Sequence, residues 1–151
     1  MSERTRLLGI DYGTVRVGLA VSDPDRKIAS PLATCTRRNR ALDTAYYRQV
    51  IEDEAIGQII LGLPIHMSGD ESQKSAEARS YGKWLTEITG LPVILWDERF
   101  TSVQAEGYLL DAGMTKKRRK ERLDRVAAQI LLQSYLDAGC PGEGTPMLFD
   151  D

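Results

Sequence analysis

The chain has 151 residues, 42% of them hydrophobic and 28% charged, with a formal net charge of −2. That is the size of one domain whose core needs no covalent staple, and its composition excludes disorder as the dominant state. Only two cysteines, Cys35 and Cys140, and one histidine, His66, are present, which excludes a disulfide scaffold, a thiolate zinc site and a multi-histidine metal centre. No run reaches the ~20 apolar residues of a membrane helix, and the residues after Met1 lack the apolar stretch of a signal peptide. Cysteine usage points to a reducing cytoplasm and no membrane partner.

Arg6–Asp11 reads as a strand, ended by Tyr12-Gly13-Thr14. Val15, Val17, Leu19 and Val21 then alternate with Arg16, Gly18, Ala20 and Ser22, a second strand joined to the first as a hairpin. Ser22-Asp23-Pro24-Asp25 is a turn. Lys27–Thr36 is a third strand, and Pro31 puts it at an edge. Residues 41–56 read as a helix with a stripe through Leu42, Ala45, Tyr46, Gln49, Val50 and Asp53.

Gln58–Leu63 is a continuous apolar run, as in a buried parallel strand. Asp70 and Gln73 have capping-box spacing before a helix that Gly90 stops near Thr89. Pro92–Trp96 is a fifth strand, followed by Asp97-Glu98-Arg99. Thr101 and Gln104 cap a further helix to about Ala112. The stretch Lys116–Arg122 holds six cations and one acid. It reads as a flexible basic lid before a last helix from about Leu123 to Ala138. The expected domain is residues 1–139, and residues 140–151 read as a fraying acidic tail.

The order β-β-β-α-β-α-β-α-α predicts an α/β fold. Its mixed five-stranded sheet combines an antiparallel meander with two parallel strands, and helices cover both faces. Ligands of such sheets sit beyond the carboxyl ends of the parallel strands. Asp11 ends the first strand, Asp97 and Glu98 follow the fifth, and Asp124 opens the last helix. Each has a plainer reading: a turn aspartate at Asp11, a loop acid paired with Arg99, a charge–dipole contact at Asp124. Ala127, Ala128 and Leu131 follow Asp124 by three, four and seven positions, which turns its carboxylate toward the sheet. Three acids converging from distant segments would suit Mg²⁺ or Mn²⁺, which take oxygen ligands and activate water at a phosphodiester. A basic segment beside them would hold flanking phosphates.

Leu8-Gly9-Ile10-Asp11-Tyr12-Gly13-Thr14 through Asp23 resembles the opening motif of the YqgF/RuvX family. Gly62-Leu63-Pro64 with Met67-Ser68-Gly69 resembles its second motif, and Val93 through Ser102 its third. Leu123-Asp124-Arg125-Val126-Ala127-Ala128 with Tyr135-Leu136 resembles its last. The resemblance implies a ribonuclease H-like fold related to the RuvC resolvases. It also implies a cytoplasmic, metal-dependent nuclease of ribosome biogenesis, acting on pre-16S ribosomal RNA or, alternatively, on the Holliday junctions of branched DNA. A non-catalytic nucleic-acid-binding module is a third reading.

By motif position, Asp11, the Asp97–Glu98 pair and Asp124 would be the catalytic acids. Glu98 is preferred within the pair as metal ligand beside Asp11 and Asp124, although the strand before it is apolar at every position and parity does not choose. Arg16, Arg99, Lys116, Lys117, Arg118 and Arg119 are the expected nucleic-acid contacts, with Arg16 and Arg99 able instead to pair the acids. His66 falls at a variable loop position. Monomer and homodimer both remain open. The Asp11-Tyr12-Gly13-Thr14 turn also occurs in sugar kinases, but that architecture needs two such domains around a nucleotide.

Overall fold

The computed structural model describes residues 5–63, 73–97 and 116–141. Its elements are β1 (Arg6–Asp11), β2 (Arg16–Ser22), β3 (Ala29–Thr36), α1 (Arg40–Glu54), β4 (Ile56–Leu63), α2 (Gln73–Thr89), β5 (Val93–Asp97) and α3 (Lys116–Asp137). The five strands form one sheet in the order β3-β2-β1-β4-β5. β1 pairs antiparallel with β2, and β2 with β3, while β4 runs parallel to both β1 and β5. This is the expected meander with two parallel strands added through helical crossovers.

Strand parity divides the core in two. Leu8, Ile10, Leu19, Ile59 and Leu61 point to one face, where Tyr47, Val50 and Ile51 of α1 and Ala78, Tyr81 and Leu85 of α2 bury them. Leu7, Ala20, Ile60 and Ile94 point to the other, against Ala128, Leu132 and Tyr135 of α3. Each fully buried Leu or Ile side chain contributes about 1.5–3 kcal/mol over an exposed one. Small residues let α3 sit low on its face. A Cβ added at Gly9 would lie 2.8 Å from the Leu132 Cβ, and one at Gly18 would overlap the Asp124 carbonyl.

Several boundaries differ from the sequence expectation. β3 starts at Ala29 rather than Lys27 because the Asp23 carboxylate accepts the amides of Lys27 (2.7 Å) and Ile28 (2.9 Å), holding both in the turn. Those two bonds also hold the Asp23 carboxyl below its ordinary value. Pro31 does lie on an edge strand, next to a register shift opposite Leu19 and Ala20. α1 begins at Arg40 behind an Asn39 cap, whose side chain accepts from the Leu42 amide at 2.9 Å, and ends before Ala55 in a left-handed conformation.

The buried stripe of α1 is Asp43, Tyr47, Val50 and Ile51, one position out of phase with the expected stripe, and Leu42 is exposed. Asp43 can be buried because the Arg38 amide donates to its carboxylate at 3.2 Å. Gly90, at φ +73°, ends α2 as expected.

The largest correction concerns the basic run. Lys116–Arg122 is helical, the first two turns of a 22-residue α3, and not a lid hinged before it. Lysine and arginine are good helix formers, and neither glycine nor proline interrupts residues 116–138. The helix expected over 101–112 lies outside the described residues, as do residues 142–151. At the start of the expected tail, the Cys140 amide bonds to the Tyr135 carbonyl at 3.1 Å and the Tyr135 hydroxyl donates to the Pro141 carbonyl at 2.7 Å. Among the described residues no helix is long and apolar enough to cross a membrane.

Candidate functional site

Parity decides which acids share a face. On β1, Asp11 alternates with Gly9 and Leu7 and so lies on the α3 side, at the carboxyl end of the strand. Its ladder partner is Gly18 of β2. The backbone of α3 touches the sheet at that same Gly18 through the Asp124 carbonyl. Asp11 and Asp124 are thereby brought to one end of one face, from segments more than a hundred positions apart in the chain.

Arg16 opens β2 and falls on this face two residues before Gly18. Its Nε donates to Asp124 Oδ2 at 2.8 Å, with both side chains about a quarter exposed. The guanidinium therefore neutralises the Asp124 carboxylate, the second of the two roles open to Arg16. Asp124 stands two turns into α3, beyond the first turn where a charge–dipole contact acts. That removes the capping explanation for this acid.

Asp97 is the last residue of β5 and pairs with Leu63 of β4. It continues the series Val93, Leu95, whose side chains belong to the α1–α2 face. Ile94 and Trp96 are the β5 residues that face α3, where Trp96 donates to the Ser134 hydroxyl at 3.3 Å and packs edge-on against Tyr135. Asp97 thus lies across the sheet from Asp11 and Asp124. Glu98, Arg99 and His66 lie outside the described residues. Lys116, Lys117, Arg118 and Arg119 all fall in the first turn of α3, and the Arg118 side chain is exposed.

Among the described residues no three acids, histidines or cysteines group as a metal centre. Asp11 and Asp124 bring carboxylate oxygens to this end of the face, a donor type suited to a hard cation that keeps several waters. Sequence reasoning overlooked Gly18, the seat of the site. The available signal was an isolated glycine inside an alternating strand, which marks a close backbone approach.

A mixed sheet in the order β3-β2-β1-β4-β5 with helices on both faces is the ribonuclease H-like fold. A solved structure of Thermus thermophilus RuvC in complex with Holliday junction substrate shares the fold. It has a TM-score of 0.52 at 16% identity, over 89% of this chain and 96% of that one. The chain belongs to the RuvX family, whose model, described as Holliday junction resolvase, matches residues 5–138. A relative from Rhodopirellula baltica, named "Putative pre-16S rRNA nuclease", is 47% identical over 88% of this chain and 77% of its own length. One of the same name from Syntrophomonas wolfei is 38% identical over 91% of this chain and 98% of its own.

Proposed function

We propose that this member of a nuclease family hydrolyses phosphodiester bonds in precursor 16S ribosomal RNA in the cytoplasm, using Mg²⁺ or Mn²⁺ held by Asp11, Glu98 and Asp124. The observation that carries this reading is the seating of the Asp124 backbone on Gly18, directly across the ladder from Asp11. An acid added to that face from the end of β5 would complete an oxygen-only ligand set. The alternation Ile94, Trp96 on the α3 side supports Glu98 over Asp97 for that place.

A bound hard cation supplies an activated water and neutralises charge on the phosphate. The protein's own part is to bring the carboxylates to one end of one face. Arg16 compensates Asp124 and can pass to a phosphate oxygen when Asp124 takes a cation. Arg99 and the first two turns of α3 are the further phosphate contacts of this reading. The α3 start supports it, since its first turn holds no acid and its cations stand where the helix dipole favours an anion.

The family model's description favours a second substrate, branched DNA. The test incubates purified protein with precursor 16S ribosomal RNA and with a four-way DNA junction, in Mg²⁺, Mn²⁺ or chelator. Metal-dependent cleavage of the RNA alone supports the first reading, and cleavage of the junction alone replaces it with the second. Binding without cleavage of either makes the protein a binding module.

A further inference from the structure

On the α1–α2 side of the sheet, one residue beyond Asp11, lies a cavity of about 480 Å³ that the nuclease reading does not use. Tyr12 forms its floor with Tyr81, the two rings 5.2 Å apart. Arg37 follows the last residue of β3 and lays its guanidinium 5.4 Å from the Tyr12 centroid and 4.9 Å from that of Tyr81. It also donates to the Gly13 carbonyl at 3.0 Å and the Tyr12 hydroxyl at 3.3 Å. The loop leaving Asp11 is therefore fastened to this groove. Arg40 stands 5.7 Å over the half-buried Trp84 ring, and Arg38 is exposed at the rim.

Three guanidinium groups lie in one cavity with three aromatic rings. Its two acids are already engaged. Asp43 accepts the Arg38 amide and pairs with the Arg38 guanidinium at 3.5 Å, a partly exposed contact that a phosphate would exchange, and Glu77 accepts the Tyr12 hydroxyl and the Gln73 side-chain amide, each at 3.5 Å. A simple anion site would need no rings, and a lipid or peptide groove would need no cluster of arginines. A flat ring joined to phosphate uses both. Rings and arginines lining an open groove are how proteins hold single strands, because every base has a face to stack. The volume lies within the range of pockets that take one small ligand, and exposed Arg38, Arg40, Ala76 and Ser80 leave it open for a chain to pass.

We propose that this groove binds an unpaired nucleotide of the substrate strand, its base against Trp84 and its phosphate on Arg37, Arg38 and Arg40. The inference rests on the nuclease reading only for its consequence. Asp11 and Tyr12 point to opposite faces but are adjacent, their Cα atoms about 3.8 Å apart. A strand cleaved at Asp11 and crossing the carboxyl edge of the sheet would enter the groove next. The scissile bond would then border an unpaired segment.

The experiment is equilibrium binding, by fluorescence anisotropy in chelator, of labelled 12-nucleotide single-stranded RNA and DNA and of the matching duplexes. The full-length protein is compared with Arg40→Ala and Trp84→Leu, and with Asp11→Asn. Arg40 is exposed, and leucine keeps an apolar side chain at 84, so melting temperatures identify any variant that fails to fold. Expected is tighter binding of single strands than duplexes, weakened about five- to a hundredfold by Trp84→Leu and severalfold by Arg40→Ala. Asp11→Asn should bind single strands undiminished. Equal loss with RNA and DNA assigns the groove to base and phosphate alone, and loss confined to one sugar assigns it to that strand. Unchanged single-strand affinity in folded Trp84→Leu and Arg40→Ala overturns the proposal whatever Asp11→Asn does to cleavage. Cleavage that survives Asp11→Asn overturns the nuclease site and leaves the groove standing.

Discussion

Arg16 Nε meets Asp124 Oδ2 at 2.8 Å, joining the first residue of β2 to the ninth of α3 across 108 positions of chain. The pair is partly exposed, so screening reduces a charge-assisted bond to about 1 kcal/mol. A cation bound by Asp124 must compete with this guanidinium. Arg16→Ala should therefore bind Mn²⁺ about fivefold more tightly in the absence of nucleic acid, measured by calorimetric titration. Its affinity for a phosphodiester strand should fall. Unchanged or weaker metal binding would show that Asp124 is not a ligand.

Gly18→Ala tests the seat of the site. Its Cβ would overlap the Asp124 carbonyl, a backbone atom that can yield only if α3 lifts. Overpacking of this kind costs about 1–3 kcal/mol. Denaturant unfolding should show that loss, and metal binding should weaken with it. At Gly9 the obstacle is the Leu132 Cβ at 2.8 Å, further from the acids. Gly9→Ala should destabilise the fold while disturbing metal affinity less. Equal metal affinity in both variants would disconnect Gly18 from the site.

The faces of β5 rank the neighbouring acids. Asp97 continues the Val93, Leu95 series, away from Asp11. Asp97→Asn should retain most cleavage, whereas Glu98→Gln, Asp11→Asn and Asp124→Asn should each reduce turnover by a hundredfold or more, as expected for loss of electrostatic transition-state stabilisation (about 10²–10³ per group). The measurement is single-turnover cleavage by variants with unchanged melting temperature. A more damaging Asp97→Asn would transfer the third ligand position to Asp97.

The six cations of Lys116–Arg122 should supply salt-dependent, sequence-independent affinity. Each phosphate neutralised lowers the logarithm of affinity by about 0.9 per logarithm of salt on B-DNA and about 0.7 on single strands. Replacing Lys116, Lys117, Arg118 and Arg119 with alanine preserves the helix, since alanine is the strongest helix former. The slope should flatten while metal binding is unchanged. An unaltered slope would assign the phosphate contacts to Arg16, Arg99 or the Arg37–Arg40 groove.

Alkaline pH should expose the weight of the buried tyrosines. Burial pushes the Tyr81 and Tyr135 hydroxyls up to about 12, and Tyr47, whose oxygen lies 2.6 Å from that of Tyr81, well above its ordinary value of 10. The folded protein thus keeps these protons between pH 10 and 12, where the unfolded chain loses them. Their contribution is whole below pH 10 and is lost as pH rises through 12. Urea midpoints should fall between pH 9 and pH 11, and fall less in Tyr47→Phe. Phenolate absorbance should rise late, with unfolding. Early titration of Tyr47, Tyr81 and Tyr135 with constant midpoints would contradict this.

The order of elements, the edge position of the Pro31 strand and the acids at the ends of β1 and β5 were legible in the sequence, because alternation, breakers and apolar runs are local signals. So was Asp124, placed by its spacing from Ala127, Ala128 and Leu131. The phase of α1 was not legible. Asp43 is buried because the Arg38 amide, just ahead of the helix, satisfies it, a side-chain-to-backbone bond that apolar periodicity does not report. The helical start at Lys116 was obscured because a run of like charges reads as a flexible lid.

Which acids meet was decided by the tertiary structure alone. β5 is apolar at every position before Asp97, so its pattern cannot tell the two faces apart. Only the packing of α3 against Ile94 and Trp96 separates them. The sequence by itself determined which acids stand at the carboxyl ends of β1 and β5 and on α3. Their convergence depends on the backbone of α3 lying against Gly18, a close approach that exists only once the sheet and the helix have packed.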